Sequence, residues 1–180
     1  MKNDSYSRGA VILHWILAIS IFFLFLSSWW MLGLPLPSDE LRFREFPFQL
    51  HKNIGLTLVV LLIALLVVRL RRRPAPLTSA AGDSWMNRAA FAGHVLLYVL
   101  IVVVCVSGYL SSAHTRWDTV VWWLVRLPRI AEADEEMNEF YSDIHLWSAW
   151  ALLGLVVLHI AGALYHALRN DGVVKRMLRW

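Results

Sequence analysis

Charge is what this chain has least of. Only 17% of its 180 residues are Asp, Glu, Lys or Arg, where a soluble domain carries about 25%. The deficit is concentrated: Gly9–Ser38, Asn53–Val68, Ala89–Thr115 and Ile144–Leu168 hold no charged side chain at all. Runs of this length and apolarity exclude an ordinary water-soluble fold. Each can supply a membrane-spanning helix of about 16 to 25 residues, the second being the shortest and leaning on flanking groups.

Cysteine is nearly absent. The single Cys105 lies inside the third run, which excludes an intrachain disulfide and points to packing rather than thiol chemistry. There is no internal repeat and no low-complexity segment. Small residues are also missing where a signal peptidase would need them. Trp29, Trp30 and Met31 sit there instead, and the first run is moreover too long for an h-region, so cleavage is not expected.

What is present is apolar. Hydrophobic residues make up 58% of the chain, and the mean hydropathy is +0.54. The expected architecture is all-α, an integral membrane four-helix bundle forming one domain over residues 1–180. Its helices are expected at about 9–33, 51–70, 89–111 and 143–168. Pro35 and Pro37 end the first helix, and the Arg69–Pro76 stretch stops the second, because proline cannot continue a helix.

The few charges fix the orientation. The N-terminus, the 69–88 connection and the C-terminal tail hold eleven cations against three acids (Asp4, Asp83, Asp171), a balance of +8. The other two connections hold six cations against ten acids, a balance of −4. Four spans put both termini on one side, and the positive-inside rule makes that side cytoplasmic. The basic surface therefore reads as topology and anionic-lipid contact, not as a nucleic-acid site. In the external 112–142 loop, the Trp and Val clusters of Trp117–Leu127 suit a short segment in the headgroup region. The acidic run Glu132–Glu139 suits a solvated helix leading into the fourth span.

Histidine is where the chemistry lies. His145 and His159 are fourteen residues apart on the fourth helix, which is about 21 Å along the axis and within about 40° of one face. With the topology above, His51 and His145 stand at the outer ends of their helices. His14, His94, His159 and His166 all fall in the cytoplasmic half. A lone intramembrane histidine is as well explained by hydrogen bonding as by ligation. Two facing imidazoles at one depth make an axial ligand pair for haem iron, held as helix bundles hold it. The expectation is an outer haem on His51 and His145 and a second haem at the inner face. Depth alone permits either His14 with His94 or His14 with His159 at the inner site.

The order of motifs resembles the prokaryotic cytochrome b561 family over nearly the whole chain. The match runs through His14-Trp15, His51-Lys52-x-x-Gly55, Arg69-Leu70-x-x-Arg73, His94-x-x-x-Tyr98, Ser107-Gly108, His145, Leu158-His159, His166 and Asp171-Gly172-Val173. This resemblance implies two haem b groups, with His14 and His159 as ligands of the inner iron and His51 and His145 as ligands of the outer one. It leaves His94 and His166 to supporting roles or to protonation near a quinone. Gly55, one turn after His51, would let a flat macrocycle approach the backbone. Arg69 and Lys52 could pair haem propionates or simply anchor their helix ends, and Tyr98 could hydrogen-bond near a quinone.

Haems with two imidazole ligands have no open iron position and suit electron transfer. The functional expectation is transmembrane electron transfer in the bacterial inner membrane between a periplasmic one-electron partner and the quinone pool. The resemblance suggests superoxide outside and ubiquinone as acceptor, a superoxide:ubiquinone oxidoreductase-type activity. An external balance of −4 gives no net steering of an anion, so a local cluster of Lys52, Arg42, Arg44 or Arg116 would be needed. Two other readings stay open. One is a membrane cytochrome b subunit of a larger dehydrogenase or hydrogenase, which would co-purify with a partner protein. The other is a haem-free transporter that uses the histidines as a proton or metal path. A homo-oligomer is compatible with all of them.

Overall fold

The computed structural model describes residues 7–34, 45–71, 84–170 and 172–178. Four long helices dominate: α1 (Arg8–Leu32), α2 (Glu45–Arg71), α3 (Ser84–Ala113) and α4 (Glu135–Arg169). Between α3 and α4 lies a hairpin of β1 (Val120–Val121) and β2 (Val125–Arg126), and a short α5 (Lys175–Leu178) follows α4. All four long helices are long and apolar enough to cross a membrane. The protein is an all-α membrane helical bundle. Pro35, Pro37, Arg42, Arg44, Arg72, Arg73, Pro74, Pro76 and Asp171 lie outside the described residues.

The helices begin and end where local chemistry directs. The Ser7 hydroxyl accepts from Ala10 N at 3.3 Å and caps α1, satisfying a first-turn N–H that has no partner inside the helix. α2 starts six residues before His51 and takes in Pro47 as its third residue, a position whose missing N–H is not needed. α4 is the longest, at 35 residues. Asp134 caps it by accepting from Met137 N at 3.1 Å, and Glu135 and Glu136 favour its positive end. The acidic run is thus the first turns of α4 itself. At about 52 Å the helix exceeds the ~30 Å hydrocarbon core and projects beyond it. Asn170 ends it in the left-handed conformation with φ 53°, which asparagine tolerates better than most residues.

The bundle is built from two antiparallel pairs, α1 with α2 and α3 with α4, joined chiefly along an α2–α3 seam. Its buried core is thin. Ala10, Leu17 and Ile21 of α1 meet Leu58, Leu62 and Leu65 of α2, with Ile101 of α3 and Leu152 of α4. Large apolar side chains such as Ile19, Phe22, Leu26, Phe91, Trp147, Leu158 and Leu164 stay exposed. In water that would be untenable, and in a bilayer it is the surface that lipid covers.

The 112–142 connection is organised by the hairpin. Val120 pairs with Arg126 and Val121 with Val125, leaving Trp122, Trp123 and Leu124 as its tip. Trp122 and Trp123 both have positive φ, 45° and 58°, the backbone of a type I′ turn that normally calls for Asn or Gly. Contacts to α2 hold them there. Trp122 N donates to Asn53 Oδ1 at 2.9 Å and its indole N–H to Thr57 Oγ1 at 3.1 Å. Gln49 donates to the Asp118 carbonyl at 2.6 Å and accepts from Val120 N. Trp123 stacks on Phe46 with ring centres 5.4 Å apart.

Candidate functional site

The histidines meet across the bundle in two places. His51 of α2 faces His145 of α4 with ring centres 6.2 Å apart. His14 of α1 faces His159 of α4, also at 6.2 Å. α4 therefore contributes one imidazole to each pair, as its fourteen-residue spacing predicts. His94 of α3 joins the second cluster, with its ring 5.3 Å from His159. All five rings are half-buried. His166 sits on α4 next to Tyr165, seven residues past His159.

Several tautomers follow from the hydrogen bonds, because a carbonyl can only accept. His145 Nδ1 donates to the Val104 carbonyl at 2.8 Å, and His94 Nδ1 donates to the Ala90 carbonyl at 2.6 Å. His51 Nδ1 lies 3.4 Å from Ser28 Oγ, which itself donates to the Leu24 carbonyl at 2.6 Å and so can accept from the imidazole. In each case Nε2 is left as the unprotonated nitrogen that ligates a metal.

The donor set discriminates between kinds of metal centre. Among the described residues no group of three or more His, Cys, Asp and Glu side chains could hold a bare ion, whereas a structural zinc wants four such ligands. Opposed imidazole pairs suit a metal whose other positions a macrocycle fills. The spacing agrees. Two metal–nitrogen bonds of about 2 Å, with roughly 1 Å from each nitrogen to its ring centre, add to about 6 Å. A Cβ added at Gly55 would meet nothing within 4 Å, so the backbone one turn past His51 borders open space. The residues present fit haem.

Charged groups sit at both ends. Arg69 Nη1 donates to the Tyr98 hydroxyl, tying the C-terminal end of α2 to α3 one turn from His94. Trp15 Nε1 donates to the Met177 carbonyl at 3.0 Å and ties α1 to the C-terminal segment. At the hairpin, Arg126 and Arg129 both pair with Asp118, at 2.8 and 3.0 Å. Arg129 also donates to the Arg116 carbonyl at 2.9 Å. Of the cations named as an external cluster, Lys52 and Arg116 are described, and Arg42 and Arg44 lie outside the described residues.

A bundle of four membrane helices with opposed imidazoles between them defines a membrane cytochrome of the b type. Residues 5–180 match the family described as prokaryotic cytochrome b561, and the chain belongs to that family. It is 33% identical over 179 residues to cytochrome b561 homolog 2 of Escherichia coli (strain K12), covering 97% of this chain and 92% of the relative. It is 25% identical over 184 residues to cytochrome b561 homolog 1 of the same organism, covering 97% of each. The protein is a multi-pass membrane haem b electron-transfer protein.

Four positions around the histidines go beyond the ligand set read from the sequence. Ser28 and Val104 hold ring nitrogens, Gly108 borders the His145 ring, and Asn53 binds the hairpin between α3 and α4. Gly108 alone had a signal, in the Ser107-Gly108 pair of the family resemblance.

Proposed function

We propose that the chain holds two haem b groups, one between His51 and His145 and the other between His14 and His159. In this reading it moves single electrons across the bacterial inner membrane, between a periplasmic partner such as superoxide and the quinone pool, with ubiquinone as acceptor. The observation that carries it is the equal 6.2 Å separation of the two ring pairs, both built on α4. Haem b supplies one-electron redox chemistry, and filling both axial positions with imidazole suits it to electron transfer rather than oxygen binding.

The chain's own residues set the conditions. The paired helices fix each imidazole so that little rearrangement accompanies a change of charge. At the inner end, His94 with Arg69 and Tyr98 forms the polar cluster best suited to orient a quinone and exchange a proton with it. At the outer end, Arg116 and Lys52 place cations on the hairpin side, where Arg126 and Arg129 are paired with Asp118, while the acids of the α4 start lie along the helix that projects outward.

The test is a haem-to-protein ratio on detergent-purified protein with a reduced-minus-oxidised spectrum. Two low-spin b-type haems per chain are expected, and His51→Ala should remove about half the pigment. A ratio of one, or loss of both haems in His51→Ala, overturns the paired-site reading. Quinone reduction on exposure to superoxide then tests the partners, and its absence in two-haem protein rejects superoxide.

A further inference from the structure

His145 is held by α3 in a way that the ligand pattern does not require. Its Nδ1 donates to the Val104 carbonyl at 2.8 Å, although that carbonyl lies within the continuous helix α3. One turn on, the ring lies directly against Gly108. A Cβ there would meet His145 Nδ1 at 2.7 Å and Cε1 at 2.8 Å, closer than real Cβ contacts allow. The ring could not occupy this place beside any larger residue. Gly154 and Gly162 on α4, by contrast, meet nothing within 4 Å, so the tight approach is particular to Gly108.

We propose that Gly108 and the Val104 carbonyl form a built seat for His145, and that this seat sets the redox potential of the outer haem. Gly108 is the positioning residue, and the backbone carbonyl is the group that acts on the imidazole. The inference rests on His145 being an axial ligand, as proposed above.

The chemistry follows from the bond. A carbonyl accepting from Nδ1–H locks the tautomer, leaves Nε2 for the metal, and draws positive charge from the ring so that the ligand becomes a stronger donor. A stronger donor stabilises oxidised iron and lowers the potential. The opposite ligand is held less firmly, since His51 Nδ1 stands 3.4 Å from Ser28 Oγ. The outer site is therefore tuned mainly from its α3 side.

Gly108→Ala tests this in the full-length, haem-loaded protein, with Val104→Ala and His145→Ala as comparisons. Gly108→Ala fills the seat and displaces the ring. Either the outer haem is lost, halving the pigment while the inner haem reports a folded bundle, or it stays with a raised midpoint potential in a potentiometric titration. Val104→Ala keeps the carbonyl and should leave the potential unchanged. Two haems at wild-type potentials in Gly108→Ala overturn the seat, and so does an equal shift in Val104→Ala, which would mark a packing effect. If His145→Ala keeps both haems, it is the ligand assignment that fails.

A measurement on the unsubstituted protein covers the case in which Gly108→Ala does not fold. In the reduced, diamagnetic state, nitrogen-15 NMR of histidine-labelled protein should show a protonated, hydrogen-bonded Nδ1 for His145, assigned through its contact with Gly108. A His145 Nδ1 that lacks that proton would overturn the proposal.

Discussion

The ring of His94 stands 5.3 Å from that of His159, nearer than His14 at 6.2 Å. Nearness counts against His94 as the axial partner. Two metal–nitrogen bonds of about 2 Å each, with the nitrogen-to-centre distances added, need roughly 6 Å. His94→Ala is therefore expected to keep both haems, while His14→Ala should lose the inner one. Haem content by the pyridine haemochrome method decides, and loss of a haem in His94→Ala would exchange the two assignments.

Arg69 donates to Tyr98 and places a fixed positive charge at the inner end of the histidine cluster. A cation there favours the reduced, less positive iron. Arg69→Gln should lower the midpoint potential of the inner haem by an amount on the order of 1 kcal/mol and leave the outer haem nearly unchanged. Tyr98→Phe keeps the charge, so its effect on the potential should be much smaller. Equal shifts in the two variants would mean that geometry, not charge, sets the potential.

Asn53 is fully buried, at 0% exposure, and its Oδ1 accepts the Trp122 N–H. Asn53→Ala leaves that donor without its partner next to a backbone already at φ 45°, a loss of about 1–3 kcal/mol. The hairpin tip should become cleavable by protease added from outside, with the haem spectrum retained. Resistance equal to that of the unsubstituted protein would show that the Phe46–Trp123 stack and the Thr57 contact suffice.

Cys105 is the one native cysteine and lies on α3 within the span, so new cysteines can be read against a quiet background. Cysteine at Glu136 should react with a membrane-impermeant maleimide applied to the periplasmic face. Cysteine at Lys175 should react only after the membrane is opened. The reverse pattern would invert the orientation drawn from the charge balance.

The sequence disclosed what the bilayer dictates. Charge-free runs mark the four helices because lipid tolerates little else. Histidine depth was readable because the helical rise is constant, so His51 with His145 could be paired by depth alone. The inner partner could not be chosen that way, since His94 and His159 differ in depth by less than the uncertainty of a helix end. The hairpin was hidden for another reason. Trp122 and Trp123 carry none of the usual signs of a turn with positive φ, and contacts to Asn53 and Thr57, some seventy positions earlier, hold them in place. Gly108 was visible as a residue, but the ring it accommodates comes from another helix.

Placing His145 and His159 on the unbroken α4 makes that helix a ruler. Neither imidazole can shift along the helix axis without the other, so the spacing between the two histidine pairs is fixed by the helical rise. One inserted residue between them would turn the second imidazole by about 100° and silence one site. An insertion of seven would nearly restore the face but carry that site about 10 Å toward water. Among small changes in α4, substitution preserves the geometry and length change does not.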